Sequence, residues 1–140
     1  MTIRIATIED STQAIRLLLK FHKEAELPFS VNAAFALALF KSCVNDEDKI
    51  AIIKDGGILL GIVGNSLIGP IKQACEIAWY VDPEKRGGSL EMFKLYEKWA
   101  TDQGAKLIEA KSLYKFSEVE TLYKRLNYQP IEKSWVKVVN

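Results

Sequence analysis

The sequence predicts a single domain in which helices pack on a mixed β-sheet of about six strands, an α/β (α+β) fold. Three observations lead to this class. The chain has 140 residues, of which 49% are hydrophobic, enough for one core. Short strand-like runs alternate with longer runs of helical period, and no repeat or Pro/Gly/Ser-rich linker divides them. Residues 74–112 read as strand, long helix, strand, an order that allows two parallel strands.

The individual elements follow from periodicity and from capping residues. In chain order the predicted elements are strand 2–6, a helix from Thr7–Asp10 to before Pro28, helix 33–44, strands 49–54, 58–65 and 74–81, a helix from 90 to about 102, strand 106–112, helix 117–126 and strand 135–139. Asn32 is a cap for the second helix, and Gly104 ends the long one. The run Asp55-Gly56-Gly57 predicts a tight hairpin, because glycine accepts positive φ.

Composition excludes several classes of function. With 19 basic and 18 acidic residues the net charge is +1, which argues against a nucleic-acid-binding surface. The chain has one histidine, and Cys43 and Cys75 lie in apolar runs, so we expect buried thiols rather than a disulfide or a metal site. The sequence shows no signal peptide and no membrane span, which indicates a cytoplasmic protein.

The strongest feature is the turn Arg86-Gly87-Gly88-Ser89, between a predicted strand and the long helix. Glycines let the backbone turn tightly, so that its amides point into one space beside a helix N-terminus. Such a turn is an anion site suited to a pyrophosphate, and Arg86 adds a positive charge. Glu84 and Glu91 oppose an anion, so the site must rely on backbone geometry. The alternative is a plain loop whose glycines merely permit a turn.

This turn resembles the cofactor motif of the GNAT superfamily (GCN5-related N-acetyltransferases), in which an Arg-Gly-x-Gly type of turn follows a strand that ends two residues before a proline. The positions that fit are Val81, Pro83, Arg86 and Gly87. Ser89 and Glu91 stand where the family has glycine or another small residue. Residues 122–130, Leu-Tyr-Lys-Arg-Leu-Asn-Tyr-Gln-Pro, resemble a second family signature, with Asn127 in place of its glycine.

The resemblance implies a mostly antiparallel sheet with helices on both faces and a splayed pair of parallel strands. It implies acetyl-CoA as cosubstrate and no metal. The coenzyme's pantetheine arm would lie along Trp79, Tyr80 and Val81. Its phosphates would meet the segment Arg86, Gly87, Gly88, Ser89, Leu90 and Glu91.

Two residues are candidates for catalysis through the same resemblance. Tyr123 matches the tyrosine that protonates the departing thiolate in many members, the alternative being a packing residue. Glu76 lies on the strand where many members keep a general base, the alternative being a structural glutamate. His22 sits on the apolar face of the first helix and is expected to be a satisfied packing residue rather than a base.

The function expected is transfer of an acetyl group from acetyl-CoA to an amine of a small molecule or protein. The alternative is a non-catalytic acetyl-CoA-binding or host-protein-binding module on the same fold, because the glycine turn is degenerate. Compact members of this kind resemble acetyltransferase-like proteins of bacteria and bacteriophages. A homodimer is expected from the apolar helix 33–44 and the apolar strand 135–139.

Overall fold

The computed structural model describes residues 2–139. Its strands and α-helices are β1 Arg4–Ile5, α1 Ser11–Glu24, α2 Ala33–Asn45, β2 Lys49–Lys54, β3 Gly57–Asn65, β4 Lys72–Val81, α3 Ser89–Asp102, β5 Leu107–Glu109 and α4 Val119–Arg125. These elements follow the predicted order. None of the helices in the described part of the chain is long and apolar enough to cross a membrane.

The sheet has the strand order β1-β2-β3-β4-β5. Neighbouring strands are antiparallel except for β4 and β5, which are parallel and joined through α3. Helices α1 and α2 bury their apolar faces on one side of the sheet, and α3 and α4 bury theirs on the other. The prediction of a mixed, mostly antiparallel sheet between two helical layers is therefore confirmed.

Local chemistry sets the predicted element ends. The Asn32 side chain accepts a hydrogen bond from the Phe35 amide at 2.8 Å and starts α2. The hairpin between β2 and β3 turns at Gly56, whose φ is +73°. Asn127 has φ of +65° just after α4, a left-handed conformation that asparagine tolerates better than most residues.

The predicted last strand, residues 135–139, is wrong, so that the described residues form five strands rather than six. Up to residue 139, where the described part of the chain ends, no strand follows α4, and residues 129–139 are all exposed. The segment has a strand-like pattern, but a strand exists only through pairing, and none of the described residues pairs with it. The edge of β5 that faces away from β4 is also unpaired within residues 2–139.

Candidate active site

A β-bulge in β4 shapes the site. Leu60 of β3 pairs with Ala78, whereas the next residue, Gly61, pairs with Glu76, so Ile77 is an extra residue in β4. A bulge bends its strand and reverses which face the side chains point to. As a result, the part of β4 after Ile77 no longer follows the alternation set by the part before it.

The parallel pair β4–β5 separates at the same place. Its register runs over three pairs and ends at Cys75 with Glu109, although β4 continues to Val81. From Glu76 onward the edge of β4 on the β5 side has no strand partner among the described residues. The splayed parallel pair implied by the resemblance is therefore present, and the gap is open to a ligand.

A cavity of about 280 Å³ occupies this gap. Its walls come from β4, the turn before α3, the segment after β5, α4 and one side chain of α1. The predicted site residues that line it are Glu76, Trp79, Tyr80, Val81, Arg86, Ser89 and Tyr123. Gly87, Gly88, Leu90 and Glu91 are not part of the lining and lie in the turn and first helical residues beside it.

The turn itself has the features of an anion cradle. Gly88 is the N-cap of α3, with φ of +84°, a conformation that favours glycine. The amides of Gly87, Gly88 and Leu90 donate to no acceptor within residues 2–139. A Cβ added at Gly87 would have no atom within 4 Å, so the space beside this residue is free. By contrast, the Ser89 hydroxyl donates to the Arg86 carbonyl at 2.7 Å.

Two buried charged side chains hold this turn. Lys54 is 2% exposed, and its Nζ donates to the carbonyl of Lys85; burial lowers the pKa of Lys54. Asp82 is 5% exposed and accepts hydrogen bonds from Arg16 at 3.1 Å and Lys20 at 3.0 Å. Burial raises the pKa of Asp82, but these two cations outweigh burial and hold it below its usual value. The turn is thus tied both to the β2–β3 hairpin and to α1.

Arg86 lies at the mouth of the gap. Its Nε donates to the carbonyl of Val81 at 3.2 Å, and its Nη1 lies 3.6 Å from a carboxylate oxygen of Glu118. Glu118 directly precedes α4, so this ion pair joins the two sides of the gap. Both side chains are substantially exposed, so the pair contributes little to stability and an anion can displace it.

Glu76 lines the cavity and is 4% exposed. Its Oε1 accepts a hydrogen bond from the Lys111 amide at 3.2 Å. Burial raises the pKa of Glu76 from 4.5 to about 7, even though the Lys111 amide favours the charged form. A carboxylate with this pKa is able to take up and release a proton near neutral pH.

Tyr123 lies against Glu76. Its hydroxyl donates to the Lys111 carbonyl at 2.7 Å and lies 3.4 Å from Glu76 Oε1. Burial, followed by the charge of Glu76, raises the pKa of Tyr123 above its usual value, so the phenol keeps its proton at neutral pH. The fold therefore brings together two residues that are 47 positions apart in the sequence.

The three predicted pantetheine contacts differ in what they offer a ligand. Trp79 stacks on Phe93, and its buried Nε1 has no hydrogen-bond partner among the described residues. The Tyr80 hydroxyl offers no free donor to a ligand, because it already donates to the Glu24 carboxylate. Val81 is buried, and its carbonyl accepts from Arg86.

Several lining residues were not predicted. They are Phe21 on α1, Lys111, Leu113 and Phe116 after β5, and Glu118, Val119 and Leu122 at α4. Apart from Leu122, which begins the second signature at residues 122–130, no local motif marks them, because they reach the cavity only when α1 and the segment after β5 close on the gap. Among the phenylalanines of α2 and the segment before it, Phe40 lies in the core, whereas Phe29 and Phe35 are more than half exposed.

Comparison with known proteins gives a clear result for the fold. No protein-family model matches the sequence, and no curated protein matches it. Solved structures do match. A mutant of the BH1408 protein from Bacillus halodurans superposes with a TM-score of 0.80 at 17% identity over 100% of both chains. The aminoglycoside 6'-N-acetyltransferase AAC(6')-Ig from Acinetobacter haemolyticus gives 0.76 at 15% identity, also over 100% of both chains.

A third match is AAC(6')-Iy, solved with a bisubstrate analogue in which CoA is joined to acetylneamine. It gives a TM-score of 0.77 at 13% identity over 99% of this chain and 97% of that chain. The chain therefore has the fold of the GNAT superfamily of acetyltransferases. At these identities the likeness shows the fold and leaves the activity to be argued from the site.

Proposed function

We propose that this protein is an N-acetyltransferase that moves an acetyl group from acetyl-CoA to an amine of a small molecule or protein. The observation that carries the proposal is the cavity in the β4–β5 gap. Glu76 and Tyr123 line that cavity, and beside it, next to the lining residues Arg86 and Ser89, lies the turn with free amides. Anion binding at the turn and proton transfer at the Glu76–Tyr123 pair are the two needs of this reaction.

The residues present fit the coenzyme. The free amides of Gly87, Gly88 and Leu90, at the start of α3, would bind the pyrophosphate. Arg86 would exchange Glu118 for a phosphate. The unpaired Nε1 of Trp79 and the open edge of β4 offer donors and acceptors to the amides of the pantetheine arm. The CoA-containing analogue bound by AAC(6')-Iy supports this use of the fold.

The acetyl step needs one bond formed and one broken. The amine nitrogen attacks the thioester carbonyl carbon, the C–N bond forms, and the C–S bond breaks with its electron pair going to sulfur. The proton lost by the amine goes to the Glu76 carboxylate, directly or through water. The Tyr123 hydroxyl, which donates a hydrogen bond to the Lys111 carbonyl in the structure, gives its proton to the thiolate.

The proximity of Glu76 and Tyr123 closes the proton balance. After transfer Glu76 is protonated and Tyr123 is a phenolate, and their oxygens are 3.4 Å apart. The raised pKa of Tyr123 makes its phenolate a strong base, so the proton returns from Glu76 to Tyr123. The net products are the acetylated amine and CoA thiol, and both side chains regain their starting states.

A glycine pair tests coenzyme binding. Gly87→Val fills free space at the turn, and Gly64→Val is the matched control, because a Cβ added at Gly64 on β3 also meets no atom within 4 Å. We expect Gly87→Val to weaken acetyl-CoA binding at least about tenfold by calorimetry, the loss of one good contact, and Gly64→Val to leave it unchanged. Equal affinities for two folded variants would rule out this placement of the phosphates.

Turnover is tested by thiol release over a panel of primary amines. Release of CoA thiol from acetyl-CoA that occurs only when an amine is present supports the proposed acetyltransferase activity. Coenzyme binding with no release across the panel would contradict it and favour the non-catalytic binding module.

A further inference from the structure

Lys54, the last residue of β2, is a buried ammonium group without an opposite charge bound to it. The residue is 2% exposed, and within residues 2–139 its Nζ makes no ion pair. The Nζ donates only to main-chain carbonyls, those of Lys85 and, at 3.3 Å, Asp55. A buried charge with only neutral partners is unfavourable, and lysine is seldom fully buried for this reason. Stability alone therefore does not account for this residue.

The carboxylates around Lys54 do not neutralise it. Its charged surroundings on the hairpin, the turn and α1 are Asp55, Asp82, Glu84, Lys85, Arg16 and Lys20. Asp55 and Asp82 are paired with cations other than Lys54, and Glu84 is exposed to solvent. On the α3 side the uncharged Met92 packs against the hairpin. Burial therefore outweighs these charges and lowers the pKa of Lys54.

The contact between Lys54 and the Lys85 carbonyl fixes a peptide plane at the start of the turn. No described peptide bond is cis, and in a trans peptide the C=O and the next N–H point in opposite directions. The Lys85 carbonyl points at the ammonium, so the Arg86 amide points away from it. That amide, like those of Gly87 and Gly88, has no acceptor within residues 2–139. An oxygen bound to it would lie no more than about 8 Å from the ammonium nitrogen.

We propose that Lys54 is a positioning residue for the coenzyme: it holds the Arg86 amide outward beside those of Gly87 and Gly88, and its charge attracts the pyrophosphate across one peptide group. Coenzyme binding and protonation of Lys54 then favour each other. The affinity falls as the pH rises above the lowered pKa of unliganded Lys54, and binding in that range takes up a proton. The identity of the anion rests on the proposed function, whereas the charge linkage does not depend on acetyl transfer.

Removal of the ammonium tests the inference. Lys54→Met keeps the apolar stem, and Lys98→Met is the matched control, because it removes one exposed positive charge of α3 away from the turn. By calorimetry at pH 7, Lys54→Met should bind acetyl-CoA at least about tenfold more weakly than the wild type. Its affinity for S-acetylpantetheine, which has no phosphate, should be unchanged. Lys98→Met should match the wild type with both ligands. Unchanged acetyl-CoA affinity in folded Lys54→Met, or equal losses for the two ligands, would overturn the inference.

The wild type alone gives a second measurement, which does not depend on the folding of Lys54→Met. Calorimetry of acetyl-CoA binding in two buffers of different ionisation enthalpy counts the protons taken up. The phosphates of acetyl-CoA do not titrate in the alkaline range, so we expect no uptake at pH 7 and an uptake that grows between pH 8 and pH 10.5, with falling affinity. No uptake at any pH in this range would contradict the linkage to Lys54.

The failure of this inference and the failure of the proposed function can be told apart. Acetyl-CoA binding and turnover that do not change in Lys54→Met would refute only the role of Lys54. Binding of ADP, which carries the same diphosphate group, that depends on Lys54 but occurs in a protein without acetyl-CoA turnover would refute only the acetyltransferase.

Discussion

At the scale of single residues, Glu76 shows a conflict between stability and the proposed chemistry, because burial disfavours the charged carboxylate that proton transfer needs. Its folded pKa is raised to about 7 from 4.5, so the folded chain holds this proton more tightly than the unfolded chain. The stability it contributes is therefore present in full below pH 4.5 and is lost as the pH rises to about 7. A carboxylate retained here at a cost in stability is consistent with a role in proton transfer.

Glu76→Gln keeps the shape of the side chain and removes the titration. Between pH 5 and pH 8, the free energy of unfolding of the wild type should fall by about 2 kcal/mol relative to that of Glu76→Gln, because only the wild type loses the Glu76 proton. Urea unfolding at both pH values measures it. A difference between the two proteins that stays constant would show that Glu76 does not titrate in this range.

The reaction rate gives a second test of Glu76. The wild-type rate should rise through about pH 7, and that rise should be absent in Glu76→Gln.

Tyr123→Phe removes one hydroxyl and leaves the ring packed against Phe93. Acid catalysis contributes about 10²–10⁴-fold, so we expect kcat to fall within that range while the affinity for acetyl-CoA barely changes. Rapid-mixing thiol release and calorimetry give the two quantities. Full retention of kcat would make Tyr123 a packing residue only.

At the scale of elements, α1 is the support of the anion turn. Arg16 and Lys20 stand one helical turn apart and both reach the buried carboxylate of Asp82, which directly follows β4. The carboxylate is buried while both cations are nearly half exposed, so the contribution is smaller than for a fully buried pair.

Asp82→Asn should lower the free energy of unfolding by about 1–2 kcal/mol and weaken acetyl-CoA binding, because the turn loses its tie to α1. Asp102→Asn is the matched control. Asp102 makes an exposed contact with Lys98 within α3, at 2.7 Å, and its loss should cost less than about 0.5 kcal/mol. Urea unfolding of both variants measures the two changes in the free energy of unfolding. Equal decreases for Asp82→Asn and Asp102→Asn would count against a special role for Asp82.

At the scale of the whole molecule, the outer edge of β5 is open within residues 2–139, and residues 129–139, which pair with none of the other described residues, carry five exposed hydrophobic side chains. Trp135 is 89% exposed and Val139 is 84% exposed. An exposed hydrophobic segment and an open strand edge are complementary surfaces. In a two-fold symmetric dimer, the segment of each copy can pair with the open edge of the other. We therefore predict a homodimer in which residues 129–139 of one copy pair along β5 of the other.

Light scattering tests the dimer. We expect the full chain to be dimeric at tens of micromolar and a chain ending at Tyr128 to be monomeric yet folded, because no residue from 129 to 139 is buried. The double change Leu67→Ser and Ile68→Ser, at the exposed β3–β4 hairpin, removes apolar surface elsewhere and should leave the dimer intact. A monomeric full chain would refute the prediction.

The sequence by itself determined the element order, the capping of α2 by Asn32, the hairpin at Gly56 and the glycine turn before α3. These depend on the chemistry of neighbouring residues and on periodicity, which act over a few positions. Only the tertiary structure decided three other things: the extra residue Ile77 that opens the β4–β5 gap, the meeting of Glu76 with Tyr123, and the lack of a strand partner for residues 135–139 among the described residues. Each depends on partners distant in the chain, because register, burial and strand pairing exist only between segments and not within them.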